Sequence, residues 1–308
     1  MQRNQPYFVA GQSIGPAGAM LLAVALVAIC YLFSAVVVNL LFGLFGYNDW
    51  GTMMASASGR MLYRTTSGIS GLLSWGLPAV LWAVYMGGFR TRLGLELRAS
   101  VGHRLLAFWI PIFLLPVVSS LIIPKDWGLL PEGLDGVRQW AEGQEQRVNS
   151  ILVSLLSESG WLVFVMNVVS VAVIPAIAEE FLFRGVLLDV LRRTMPDWAA
   201  VWLSAAVFSL VHFQFYGFFA RMALGVIFGH MYLHTGDLRC SIWAHFAHNF
   251  FSLTLVMLVS SGFLPQSFLQ GRLEFGWVIT LSASLVAFAL LYVYFLRISP
   301  LKSLQVDE

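Results

Sequence analysis

Long apolar runs without a charged side chain constrain this chain more than any other feature of its sequence. Several of them extend over 18 residues or more, and a helix of that length, rising about 1.5 Å per residue, crosses a hydrocarbon core of roughly 30 Å. Only 11% of the 308 residues are charged, against roughly 25% in soluble domains. A transmembrane barrel would instead alternate apolar and polar side chains in segments of about ten residues. The sequence therefore predicts an all-α fold, a polytopic transmembrane helix bundle.

Charged residues, glycines and prolines at the ends of the runs divide the chain into about eight helices. The predicted spans are 17–46, 68–88, 105–123, 160–191, 199–215, 218–233, 242–262 and 276–296. The fifth and sixth spans are short, and a tight connection around Gln214 to Gly217 joins them. We expect these two to form a helical hairpin that does not cross fully, so eight is a number of helices rather than of crossings.

The predicted helices fall into three parts. Residues 1–159 hold N-terminal transmembrane helices without a motif, residues 160–262 hold most of the intramembrane polar side chains, and residues 263–308 hold a final transmembrane helix and a short cytoplasmic tail. In the first part, an amphipathic helix is predicted near 133–157, because apolar side chains recur there at helical spacing on one face. This helix is either a surface helix packed on the bundle or a gate over a site, and the sequence leaves both interpretations open.

Charge and cysteine content exclude several classes of protein. The net charge is +2 and the basic residues are scattered around the ends of the spans, which argues against a nucleic-acid partner and favours contact with membrane lipids. Basic residues are more numerous on the side of the N-terminus, so the positive-inside rule predicts cytoplasmic N- and C-termini. Cys30 and Cys240 are too few for a disulfide framework or a cysteine metal site. The oligomeric state is left open.

Two glutamates and an arginine interrupt the fourth span within the predicted membrane. A charged side chain at that depth costs at least about 2.5 to 3.5 kcal/mol, so such groups usually pair or take part in chemistry. Glu180 and Arg184 are four residues apart on one helix face, which is the spacing of an ion pair. Glu179 points about 100° away and lacks that partner, so it is a candidate general base. The alternative is one buried charge cluster that holds the helices together.

A single histidine, His212, lies in the apolar run that follows. On its own, such a histidine is more often a packing residue. However, Glu179 lies 13 residues before Arg192, and His212 lies 13 residues after Ala199. In two consecutive antiparallel helices, both side chains then lie about 20 Å from the connecting turn. We therefore expect Glu179 and His212 to meet.

A third polar group lies in the seventh span. His245 and Asn249 are one turn apart and share a helix face, as two donors to a developing oxyanion would. The alternative is hydrogen bonding between spans, worth about 0.6 kcal/mol on average in a membrane. We expect His248 to face partly away from this pair. His230 and His234 have the same spacing near a water-facing end, and we interpret them as interface residues.

Three spaced motifs together resemble the CPBP superfamily, the CAAX-processing and bacteriocin-processing (Abi-type) intramembrane proteases. The motifs are Glu179-Glu180-x-x-x-Arg184, Phe208-x-x-x-His212 and His245-x-x-x-Asn249. They cover roughly residues 160 to 255, about a third of the chain. The resemblance implies that residues 160–262 form a CPBP-like catalytic core, and that the chain is an intramembrane endopeptidase similar to CAAX prenyl proteases.

The resemblance also implies roles for individual residues. It assigns the activation of a water molecule to Glu179 and His212, as in a glutamate protease. It makes His245 and Asn249 the stabilisers of the oxyanion. The supporting residues are Glu180, Arg184 and Phe208. The expected partner is a peptide or protein substrate that is lipidated or otherwise bound to the membrane, and the sequence does not identify it.

Other mechanisms and classes of protein fit the same polar residues. No cofactor is expected, but in a zinc-dependent version Glu179, His212 and His245 would supply three ligands and leave a fourth position open. A proton-coupled transporter is an alternative from another class, since intramembrane Glu, Arg and His also mark ion paths. A non-catalytic membrane scaffold or immunity protein is the third alternative.

Overall fold

The computed structural model describes residues 7–9, 12–96, 99–122, 133, 135–156, 158, 160–265 and 275–298. Over these residues the chain forms eleven helices and one short β-hairpin. The helices are α1 (Pro16–Leu44), α2 (Trp50–Ala55), α3 (Ala57–Tyr85), α4 (Phe89–Arg92), α5 (Val101–Ser120), α6 (Asp135–Leu156), α7 (Trp161–Arg192), α8 (Asp197–Leu210), α9 (Phe218–Thr235), α10 (Leu238–Ser260) and α11 (Phe275–Ile298). The strands are β1 (Tyr7–Val9) and β2 (Gln12–Ile14).

Six of these helices are long and apolar enough to cross a membrane, namely α1, α3, α5, α7, α10 and α11. The other two predicted spans correspond to α8 and α9, which pack side by side as the expected hairpin. Their backbones approach closely, because a Cβ atom on Gly225 of α9 would lie 2.9 Å from the Cβ of Ala205. The prediction of an all-α transmembrane bundle is confirmed, and the chain is an integral membrane protein.

Helix α3 begins at Ala57, well before the predicted start at residue 68. The side chain of Ser56 caps its N-terminus by accepting a main-chain hydrogen bond. Arg60 and Arg64 ended the apolar run in the sequence, but in the structure both lie inside the helix and pair with Glu158 at 2.7 and 2.8 Å. Burial acts to raise the pKa of Glu158, yet the hydrogen bonds from the two arginines outweigh it and hold that pKa below its usual value. The predicted start was wrong because paired charges fit within the helix.

The N-terminal hairpin has no counterpart in the sequence prediction. Its strands are antiparallel, with Tyr7 opposite Ile14. Tyr7 is buried against Trp82 of α3, with ring centroids 5.4 Å apart, and its hydroxyl donates to Asp189 of α7 at 2.8 Å. Burial and the Asp189 carboxylate raise the pKa of Tyr7, so its hydroxyl remains a donor. The hairpin is thereby attached to α3 and to the end of α7.

Helix α7 packs against α3, α8 and α10. Phe183 and Val186 of α7 join Ala79 and Trp82 of α3 and Phe208 of α8 in one buried apolar cluster. A helix that packs against apolar side chains on several faces has apolar residues all around it, so its sequence is continuously apolar. The charged residues of α7 are therefore held among apolar side chains.

The predicted amphipathic helix is present as α6. Near its start, the ring of Trp140 lies 6.2 Å from that of Phe213 and 5.4 Å from that of Phe215, in the connection between α8 and α9. Near its end, Leu155 is buried with Met53 and Met54 of α2. Helix α6 therefore extends from the α8–α9 connection to α2. Residues 134 and 157 of the predicted helix, and residues 299–308 of the predicted cytoplasmic tail, lie outside the described residues.

Candidate active site

Glu179 lies in the middle of α7, in an α-helical turn between two π-helical stretches. These stretches are Val168–Val173 and Phe181–Leu188. The turn between them contains Pro175, which cannot donate a main-chain hydrogen bond, and π-helical turns are frequent at functional sites. Within this turn Glu179 borders a cavity, whereas Glu180 is fully buried. The two adjacent glutamates therefore have different surroundings.

The carboxylate of Glu179 lies between two imidazole rings. Its Oε2 is 3.9 Å from Nε2 of His212 and 3.8 Å from Nε2 of His245. Both distances exceed a direct hydrogen bond, and polar gaps of this size can be closed by a bridging water. The expectation that Glu179 and His212 meet is confirmed, and His245 joins them from α10.

One hydrogen bond sets the ring of His212, which lies just beyond the end of α8. Its Nδ1 is 2.7 Å from the main-chain oxygen of Phe208. A carbonyl oxygen only accepts, so Nδ1 carries a proton and donates. In the neutral ring, Nε2 is then an acceptor that faces Glu179. The next residue, Phe213, has a φ of 53°, a left-handed conformation that is uncommon outside glycine and that turns the chain away from α8.

Glu180, Arg184 and His245 form a buried hydrogen-bonded group beside the cavity. Nη1 of Arg184 donates to Oε1 of Glu180 at 2.7 Å, and Nδ1 of His245 lies 2.9 Å from the same oxygen. Nη2 of Arg184 donates to the main-chain oxygen of Gly225 in α9 at 3.1 Å. The predicted ion pair is therefore present, and it also holds His245 and α9 in place.

Aromatic rings enclose this group. Phe208 lies with its ring centroid 5.0 Å from that of His212 and 5.8 Å from that of His245. The guanidinium of Arg184 lies over Phe208 at 4.7 Å and over Phe228 at 5.7 Å, distances at which cation–π attraction operates. Phe228 also stacks on His245 at 5.3 Å. Phe208, predicted as a supporting residue, therefore contacts both histidines.

Asn249 follows His245 by one turn of α10, and both line the cavity. Nδ2 of Asn249 donates to the main-chain oxygen of Val171 at 3.3 Å. An amide nitrogen has two hydrogens, so a second donor remains for another acceptor. His248 lines the cavity as well, and its orientation partly away from the pair stays a prediction.

A cavity of about 530 Å³ connects these residues. Its volume falls within the range of roughly 300 to 1,000 Å³ that is common for ligand sites. Helices α3, α7, α9 and α10 and the segment after α8 supply its polar side chains, and α6 adds an apolar wall. The wall residues from α6 are Val148, Ile151, Leu152, Leu155 and Leu156. Helix α6 therefore covers the candidate site, and its movement as a gate stays a prediction.

The segment that carries these helices matches a known family. Residues 160–251 fit the family model described as type II CAAX prenyl endopeptidase, Rce1-like. This segment is similar to the Rce1-like family. It contains all three motifs, from Glu179 to Asn249, so the predicted resemblance is confirmed, and it supports a CAAX-type intramembrane endopeptidase in general. The match covers less than a third of the 308 residues, and no curated protein and no solved structure matched the chain.

Two cavity residues of the Rce1-like segment were missed in the sequence. Asn167 lies 12 residues before Glu179 on α7, and both side chains line the cavity. Arg221 lies near the start of α9 and donates to the side chain of Gln214 at 3.2 Å. The signal for both was a polar side chain inside an otherwise apolar helix. Neither position belongs to the three spaced motifs.

Other polar residues of the Rce1-like segment serve packing. Nδ1 of His230 lies 2.6 Å from the hydroxyl of Tyr292 in α11, and His234 lies against Phe295 with ring centroids 5.8 Å apart. Both histidines therefore contact α11, and their interpretation as interface residues stays a prediction. Cys240 is fully buried, away from the cavity lining.

The alternative zinc site was tested against the geometry. Among the residues that the structure describes, no group of three or more His, Cys, Asp or Glu side chains has an arrangement that holds a metal ion. Glu179, His212 and His245 are close, and the hydrogen bonds that the two rings make at Nδ1 leave Nε2 of each facing Glu179. The absence of a cofactor stays a prediction, which elemental analysis can test.

Proposed function

We propose that this protein is an intramembrane endopeptidase that hydrolyses one peptide bond of a membrane-associated or lipidated peptide or protein. The observation that carries the proposal is the convergence of Glu179, His212 and His245 from three chain segments on one wall of a cavity. A carboxylate set between two imidazoles can accept a proton from a bound water and pass it on. The Rce1-like match of the same segment supports this chemistry.

The proposed reaction begins with a water molecule held between Glu179 and Nε2 of His212. Glu179 takes one proton of that water, and the oxygen attacks the carbonyl carbon of the scissile peptide bond. In the tetrahedral intermediate that forms, the former carbonyl oxygen carries a negative charge. The proton then passes from Glu179 to the nitrogen of the leaving amine, and the C–N bond breaks. General-base assistance of this kind contributes about 10²- to 10⁴-fold to the rate.

The negative oxygen is stabilised by two donors on α10. Asn249 donates through the amide hydrogen that Val171 does not use. His245 donates through Nε2 in its protonated form, in which Nδ1 donates to Glu180. One such donor is worth about 10²- to 10³-fold in kcat. Glu180 and Arg184 act through His245 and are positioning residues.

The surroundings of the site fit a substrate that approaches from the membrane. Helix α6 contributes apolar side chains to the cavity, and an apolar wall favours apolar side chains or a lipid chain over charged ones. Among the described residues, six apolar helices are long enough to cross a membrane, and two of them, α7 and α10, line the cavity. A membrane-associated peptide reaches such a cavity without leaving the bilayer.

The experiment that tests the function compares chain termini in cells. Cells that lack the protein receive the parent protein, Glu179→Gln or Asp135→Asn, and the N- and C-termini of their membrane proteins are identified by mass spectrometry. Glu179→Gln keeps the shape of the side chain and removes the base. Asp135 is exposed at the start of α6 and serves as a control for the loss of a carboxylate. We expect new termini with the parent and with Asp135→Asn, and none with Glu179→Gln. Identical termini in all three cultures would exclude the proposed peptidase.

A further inference from the structure

A buried amide lies in the cavity at the far end from Glu179. Asn167 of α7 is 1% exposed. Its Oδ1 accepts a hydrogen bond from Nε of Arg64 at 2.8 Å. Its Nδ2 is buried and has no hydrogen-bond partner within the described part of the chain. Because an unpaired buried donor costs about 1 to 3 kcal/mol, such a group calls for a partner.

Arg64 fixes the orientation of that amide. Its Nη1 donates to Glu158 at 2.8 Å and its Nη2 to the main-chain oxygen of Leu155 at 2.6 Å. A guanidinium only donates, so the atom of Asn167 that faces its Nε must be the oxygen. The amide therefore cannot flip, and its N–H groups stay on the other side. By contrast, the hydroxyl of Ser170, which also lines the cavity, is satisfied by Met166.

The cavity follows two helices over the distance between Asn167 and the catalytic group. On α7 it is lined from Asn167 to Glu179, and on α10 from His245 to Val256. At about 1.5 Å per residue, both stretches measure about 16 to 18 Å. An extended peptide advances about 3.3 Å per residue, so roughly five residues cover this distance. The two walls agree in length, although they belong to different helices.

The chemistry of the far end fits a main-chain carbonyl. An amide N–H donor pairs with an acceptor, and every residue of a peptide carries one carbonyl acceptor. The wall from α6 is apolar, so this wall offers no side-chain partner for the main chain of a peptide. The hydrogen bond with Arg64 uses only Oδ1 of Asn167. It therefore does not explain why an amide donor, Nδ2, is buried at this position.

We propose that Asn167 is a substrate-binding residue whose amide donates to a main-chain carbonyl about five residues from the scissile bond. The inference rests on the proposed peptidase function and adds to it the class of substrate, an extended peptide segment of at least that length. Arg64 is the positioning residue that turns the amide toward the cavity.

The test separates binding from cleavage. Peptides of 12 random residues are selected for binding to the Glu179→Gln protein in lipid nanodiscs, and one selected peptide is labelled with fluorescein. Its Kd is measured by fluorescence anisotropy in the Glu179→Gln background, with and without Asn167→Asp. Aspartate keeps an oxygen for Arg64 and removes the donor. Asn149→Asp, on the exposed face of α6, is the matched control for the added charge.

We expect Asn167→Asp to raise Kd about 3- to 10-fold, as for the loss of one hydrogen bond, with an unchanged thermal midpoint. Asn149→Asp should leave Kd as it is. A further set of peptides has one amide at a time replaced by an alkene, which removes a carbonyl acceptor. At one position, the loss of binding free energy from this replacement should not add to the loss caused by Asn167→Asp.

Several outcomes would overturn the inference. The first is an unchanged Kd with Asn167→Asp. The second is a loss of binding free energy that adds to that of Asn167→Asp at every alkene position, and the third is that no peptide binds. If the peptide binds as expected but the parent protein does not cleave it, the proposed catalysis fails, and Asn167 remains a peptide-binding residue without a scissile bond to refer to.

Discussion

Glu180 and His245 are joined by a hydrogen bond of 2.9 Å between Oε1 and Nδ1, and both side chains are buried. The same oxygen of Glu180 accepts from Arg184 at 2.7 Å. The bond connects α7 to α10 and directs Nε2 of His245 toward Glu179. The two adjacent glutamates therefore have different surroundings, since Glu180 holds His245 in position and Glu179 faces the cavity.

This difference predicts different effects of the same substitution. Glu180→Gln leaves the cation of Arg184 buried without its charge partner, which costs about 3 to 5 kcal/mol of unfolding free energy. Glu179→Gln should leave stability near that of the parent protein, because no side chain bonds it directly within 3.5 Å among the described residues. Thermal unfolding in detergent and cleavage of one peptide substrate measure both properties. A Glu180→Gln protein with normal stability and no activity would show that the two roles are reversed.

Asn249→Ala tests the oxyanion assignment. The substitution removes a donor that acts mainly in the transition state, so kcat should fall about 10²- to 10³-fold with little change in KM. Thr254→Ala is the matched control on α10, since its hydroxyl bonds only the main chain of Phe250. Single-turnover cleavage by folded, purified variants gives the comparison. His248→Ala should be much milder than Asn249→Ala, and the opposite order would contradict the assignment.

Helix α6 provides a test of the apolar wall. Ile151→Asn places a polar side chain in the cavity lining, and the loss of apolar contact should raise KM about tenfold or more. Val153→Asn is the control, because Val153 is 69% exposed and does not line the cavity. Both variants are compared with the same peptide in nanodiscs. Equal KM values for the two variants would show that α6 does not contact the substrate.

Metal content gives a separate test of the mechanism. We expect the purified protein to remain active after dialysis against a chelator, because a carboxylate and an imidazole can activate water without a metal. Elemental analysis of the active protein checks the metal content directly. One tightly held zinc per chain, with activity lost on its removal and restored on its return, would replace the proposed mechanism by the zinc-dependent one.

Features that depend on neighbours within one helix were predictable from the sequence. The apolar runs located eight helices, since a span must be apolar over its whole length to lie in lipid. The four-residue spacing of Glu180 and Arg184 predicted their ion pair, and the same spacing placed His245 and Asn249 in one cavity wall. The catalytic roles of these residues stay predictions.

Features that depend on contacts between helices required the tertiary structure. The bond from His245 to Glu180 and the bond from Arg64 to Asn167 join residues far apart in the chain, and so do the contacts of α6 with the cavity. Helix rotation and depth decide such contacts, and an apolar run in lipid carries no period that reveals its rotation. The sequence alone therefore determined the fold class and the motif residues, whereas only the packed bundle brought His245 to Glu180 and placed Asn167 in the lining of the same cavity as Glu179.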